Sequence, residues 1–240
     1  MEKLIEKEMP QKIIQIKQNK RRKFLLLISA FLLFNLFVFG SFYLSIKDNK
    51  SAIRGLGLAS KFSTNVSPTP FPFQEMTIPY LRLKVYESKL GNLEQISSNS
   101  NYTSYLTNYA SDGFRVNGLL TIPSGDVPKS GFPAIVFVHG YIQPSQYRTT
   151  VNYASYVDYL GSNNFVVFKI DLRGHADSEG EGGGAYYSSN YVVDTLNAVS
   201  ALKGADFVNP SKIGLWGHSM AGNVIFRSFV AKGDIPAIVI

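Results

Sequence analysis

The 240-residue chain contains no cysteine. Disulfides and thiolate-held metal sites are therefore excluded. It has only three histidines, His139, His175 and His218, too few and too scattered to form an obvious metal cluster. No metal and no cofactor is expected. The glycine run Gly182-Gly183-Gly184 lacks the Lys-Ser/Thr pair of a phosphate loop, so nucleotide binding is not expected either. A basic folded surface is also missing. The formal net charge is +7, but residues 1–23 hold eight Lys/Arg against three Glu and supply +5 of it. The remainder is close to neutral, which argues against a nucleic-acid partner. What the chain does have is apolar content, 45% of its residues, enough for a substantial core.

Phe24 to Ile46 is 23 residues without a charge. As a helix it measures about 35 Å, against roughly 30 Å of hydrocarbon in a bilayer. Lys20-Arg21-Arg22-Lys23 precedes it, and Lys47, Asp48 and Lys50 follow. The positive-inside bias then places residues 1–23 in the cytoplasm as a basic tail and everything after Ile46 outside. The expected localisation is the cell membrane, by a single-pass signal anchor at 24–46. A cleaved signal peptide is the alternative, with Val38-Phe39-Gly40 small enough for cleavage after Gly40. Residues 47–73 read as a linker ending in Ser67-Pro68-Thr69-Pro70-Phe71-Pro72, which favours extended polyproline geometry. A folded domain is expected over 74–240.

Within that domain Tyr102–Ala110 and Phe114–Ile122 alternate around the turn signal Ser111-Asp112-Gly113 and predict a β-hairpin. Continuous apolar runs at Ala134–Val138, Phe165–Ile170, Ile213–Trp216 and Ile235–Ile240 predict buried parallel strands. Helical patterns fall between them at Val151–Leu160, Asn190–Leu202 and Met220–Ala231. The fold class is thus α/β, a doubly wound and mostly parallel sheet with helices on both faces. Ligands in such sheets bind beyond the carboxyl ends of the strands.

Three strands run into polar segments: His139-Gly140-Tyr141, Asp171-Leu172-Arg173-Gly174-His175, and Gly217-His218-Ser219-Met220-Ala221-Gly222. A serine among small residues at a strand-to-helix turn has the form of a nucleophile elbow. The three segments, in this order, resemble those of the α/β-hydrolases, and most closely bacterial members of the prolyl oligopeptidase family. Tyr109-Ala110-Ser111-Asp112-Gly113 and Val116-Asn117-Gly118-Leu119-Leu120 resemble the strand pair that precedes the catalytic fold there. The resemblance implies Ser219 as nucleophile, with the N–H groups of Met220 and Tyr141 forming the oxyanion hole. It implies a serine-type peptidase, with a carboxylic-ester hydrolase as the alternative, so the expected partner is a peptide or ester substrate. His139 and His218 are read as packing and hydrogen-bonding groups. His175 is expected in a loop shaped by an ion pair between Asp171 and Arg173. Asp177, Glu179 and Glu181 are read as a solvated acidic loop.

In this fold an acid and then a histidine follow the serine in the chain. No histidine follows Ser219. The triad acid and base are thus expected to be absent from these 240 residues, with the C-terminal strands missing and the chain inactive by itself. A catalytically dead binding domain is the remaining alternative.

Overall fold

The computed structural model describes Ser29, residues 33–36 and residues 72–240. The chain divides into two units, Met1–Ser67 and Pro68–Ile240. Most of the expected membrane anchor and most of the expected linker lie outside the described residues. Among the described residues no helix is long and apolar enough to cross a membrane.

The second unit is built on one seven-stranded sheet: β1 (Glu94–Ser98), β2 (Tyr102–Ser111), β3 (Phe114–Pro123), β4 (Phe132–Val138), β5 (Val166–Ile170), β6 (Val208–Gly217) and β7 (Ile238–Val239). The strand order is β1-β2-β3-β5-β4-β6-β7. The predicted hairpin is β2–β3, in unbroken register from Ser111↔Phe114 to Tyr102↔Pro123. β3 joins β5 antiparallel, whereas β5, β4, β6 and β7 run parallel. The sheet is therefore mixed, with its parallel half confined to four of seven strands.

Four helices flank the sheet: α1 (Ile78–Leu83), α2 (Ala154–Ser162), α3 (Asn190–Lys203) and α4 (Met220–Ala231). Their faces are set by strand alternation. Leu119, Phe137 and Val167 point one way and pack on Val157 of α2. Val116, Leu120, Val136, Phe168 and Ile170 point the other way, into the main core with Leu81, Val192, Leu196, Val199, Val224 and Ile225 from α1, α3 and α4. Each such aliphatic side chain contributes roughly 1.5–3 kcal/mol by leaving water. α1 starts at Thr77, whose hydroxyl accepts the Tyr80 N–H, and has Pro79 in its first turn. α3 is buried on nearly every side because the sheet covers one flank and α4 another.

β4 lies between β5 and β6, so the chain leaves it to one side through α2 and later crosses to its other side through α3. Val138 is level with both Ile170 and Gly217. The segments after β4, β5 and β6 consequently emerge together at one edge.

Candidate active site

Ser219 sits between β6 and α4 with φ 56° and ψ −115°. Positive φ in a non-glycine residue is strained, and such strain persists only where the surroundings impose it. Here the imposition is steric. A Cβ on Gly217 would lie 2.7 Å from the Ala221 Cβ and would collide with Ile225. Ala221 is fully buried. The strand and helix therefore approach too closely for larger side chains, and the turn holds Ser219 exposed beyond the sheet. In the first turn of α4, Ala221 and Gly222 donate to the carbonyls of His218 and Ser219, at 3.1 and 2.9 Å. The preceding N–H, that of Met220, is one of the unsatisfied donors of a helix N-terminus, where partial positive charge accumulates.

Tyr153, just before α2, ties the neighbouring loop to this turn. Its hydroxyl accepts the Gly140 N–H at 3.0 Å and lies 3.0 Å from His218 Nδ1. Assigned from this network, the phenol donates to Nδ1 and fixes His218 as the Nε2–H tautomer. Gly140 is thus committed to Tyr153, and the next N–H, that of Tyr141, has no hydrogen-bond partner among the described residues. The Tyr141 side chain is largely exposed. A Cβ at Gly140 would lie 2.6 Å from the Tyr153 hydroxyl, so the brace requires glycine there.

The other two histidines are interior. His139 is fully buried, with Nδ1 2.7 Å from the Gly140 carbonyl and Nε2 3.0 Å from the Asp171 carbonyl. Burial lowers its pKa to about 4, so the ring is neutral and donates to one carbonyl at a time. His175 is buried against the Tyr147 and Tyr191 rings, and burial lowers its pKa too.

The loop after β5 is held differently from the sequence expectation. Arg173 does not pair with Asp171. Its guanidinium lies 2.6 Å from Asp194 of α3, and its backbone N–H donates to the same carboxylate at 3.0 Å. Ser111, at the hairpin end, donates to Asp194 at 2.6 Å. Asp194 is fully buried, and a buried carboxylate needs such donors, which Arg173 and Ser111 supply. Asp171 instead accepts from Thr149 at 2.7 Å, and burial raises its pKa. Asp177, Glu179 and Glu181 are exposed, with Glu179 accepting the Arg115 N–H at 2.8 Å.

Two functional contributors escaped the sequence reading. Tyr153 gives no signal, because its role depends on where a φ of 61° aims the ring. Lys169 did give one. It is a lone charge inside the apolar run of β5, and it is fully buried, donating to Tyr147 at 2.9 Å and to the Thr149 carbonyl at 2.5 Å. Among the described residues no cluster of metal-ligating side chains occurs.

Residues 132–239 match the family model described as serine aminopeptidase, S33. The fold is similar to an acetyl xylan esterase from Paenibacillus sp. R4, at 19% identity and a TM-score of 0.53, over 67% of this chain and 55% of that one. It is also similar to acetyl xylan esterase 1 from Thermoanaerobacterium sp. JW/SL YS485, at 16% identity and a TM-score of 0.51, over 67% and 54%. The chain spans little more than half the length of these structures. The matched family model is a different one from the prolyl oligopeptidase family that the sequence resembles. Strand order, elbow strain and these likenesses agree on one statement: the chain has the α/β-hydrolase fold.

Proposed function

We propose that the protein is a serine hydrolase acting on carboxylic esters. The observation that carries the reading is the strained, exposed Ser219 at the sheet's carboxyl edge, flanked by two unpaired N–H groups. Ser219 Oγ attacks the acyl carbon, and the carbonyl oxygen becomes an oxyanion. The N–H groups of Met220 and Tyr141 stabilise that charge. The serine proton passes through a general base to the departing alcohol, and water, deprotonated by the same base, later releases the acid from the acyl-enzyme; His139, His175 and His218 are each held elsewhere, so none of them is that base. Ester is favoured over peptide because the similar folds are acetyl xylan esterases. A fluorophosphonate probe tests the nucleophile: where the general base is in place, it should label Ser219 and spare Ser219→Ala. p-Nitrophenyl acetate should compete for that labelling better than alanine p-nitroanilide. Equal competition, or a preference for the anilide, sinks the ester reading.

The location is proposed with it. The uncharged run 24–46 anchors the protein with the hydrolase unit outside and the basic tail 1–23 inside. Protease added to intact spheroplasts should remove the unit beyond Lys47. Its protection would reverse the orientation, and a mature N-terminus at Ser41 would show cleavage after Gly40 instead.

A further inference from the structure

A cavity beside the hairpin does not enclose Ser219. It holds about 720 Å³ between the hairpin strands and the segment Pro144–Val151. It opens at the same sheet edge, because Asn117 of β3 is opposite the residue after β5: its carbonyl accepts the Asp171 N–H at 2.9 Å. Three to four strand spacings separate it from the end of β6, roughly 14–19 Å.

Its polar groups divide into two sets. The cations are already engaged: Arg148 donates to the carbonyls of Ser145 and Tyr147, and Arg115 faces Glu179 at 3.7 Å. The side-chain amides of Asn92, Asn108 and Asn117 line the cavity without a hydrogen bond among the described residues, as does the exposed carboxylate of Asp177. Asp171 is the deepest member: it is fully buried, and its carboxylate accepts from Thr149 at 2.7 Å.

Carboxamides both donate and accept, and the carboxylates accept. This set matches hydroxyl groups, which do both. It does not match phosphate, which the carboxylates of Glu94, Asp171 and Asp177 would repel. Asp171 also has the Lys169 ammonium beside it, so the cavity does not call for a second cation there. A ligand reaching both this cavity and Ser219 must be longer than a single small acyl alcohol.

We propose that this cavity is a subsite for a neutral polyhydroxylated chain, an oligosaccharide, whose ester-bearing unit lies at Ser219. The link to Ser219 rests on the ester hydrolase reading; binding in the cavity does not. Xylotetraose carries no acyl group, so its binding is independent of the nucleophile. Isothermal titration of the protein with xylotetraose and with maltotetraose should give saturable binding of at least one. Asn108→Ala combined with Asn117→Ala should weaken it about tenfold or more, the equivalent of one lost hydrogen-bonded pair. The exposed pair Asn92→Ala and Asp177→Asn provides a second variant that leaves the sheet untouched, and it should weaken binding in the same direction. No saturable binding of either saccharide overturns the proposal. So does binding that both variants leave unchanged, and so does tighter binding of spermine, which would make the cavity a cation site. Saccharide binding without Ser219-dependent ester chemistry would retain the subsite and remove only its link to the nucleophile.

Discussion

Ser219 owes its geometry to two neighbours that have almost no side chain. Gly217 and Ala221 face each other across the elbow so closely that one added carbon on Gly217 would meet the Ala221 Cβ at 2.7 Å. The sequence pattern required small residues here, and the alanine at 221 fits because the space ends just beyond its methyl. Ala221→Val adds two carbons into that contact. Overpacking of this kind costs typically about 1–3 kcal/mol. The variant should show a lowered urea midpoint. An unchanged midpoint would mean that the turn has slack the packing does not show. Ala176 is a contrasting case. It adopts φ 47°, so its cost is backbone strain rather than packing.

At the scale of elements, strongly patterned segments were legible and weakly patterned ones were not. The helix Met220–Ala231 and the hairpin follow their apolar periods closely. β1 was invisible because all five of its residues are exposed, and Glu-Gln-Ile-Ser-Ser shows no alternation to read. β6 begins at Val208, earlier than its apolar run, because Asn209 to Lys212 continue the strand without an apolar face. β5 was read correctly as buried although it carries Lys169, and that lysine gives the strand a pH dependence. Burial lowers its pKa from 10.5 to about 8, with Asp171 opposing the shift. Between those values the unfolded chain binds the proton and the folded one does not, so stability rises with pH. The penalty is fully present below pH 8 and is relieved progressively above it, by at most about 3 kcal/mol. The melting temperature should therefore climb from pH 7.5 to 9.5, below the range where buried tyrosines reverse the trend. Lys169→Met should flatten that climb. The same slope in the variant would assign the effect elsewhere.

For the whole molecule, the order of strands decides which polar residues meet. The sequence announced three segments at strand ends, and the sheet does bring them to one edge. It could not announce that Tyr153 joins two of them, or that Asp194 from α3 rather than Asp171 holds Arg173, because both contacts span elements distant in the chain. The same architecture limits what the histidines can do. His139 has both ring nitrogens against backbone carbonyls, and burial keeps it neutral. His175 is enclosed by aromatic rings. His218 is exposed, but its Nδ1 is taken by Tyr153. None stands free to accept the Ser219 proton, so the hydroxyl keeps the low nucleophilicity of an unassisted serine. Residues 1–240 by themselves should turn over p-nitrophenyl acetate well below the roughly 1–10³ s⁻¹ of ordinary enzymes. The check is steady-state hydrolysis by the chain and by Ser219→Ala, with circular dichroism establishing that both are folded. Ser219-dependent turnover inside that range would require a base among the three histidines. Tyr153→Phe would then tell which one: releasing Nδ1 should raise the rate if His218 is that base and leave the burial of His139 and His175 as it was.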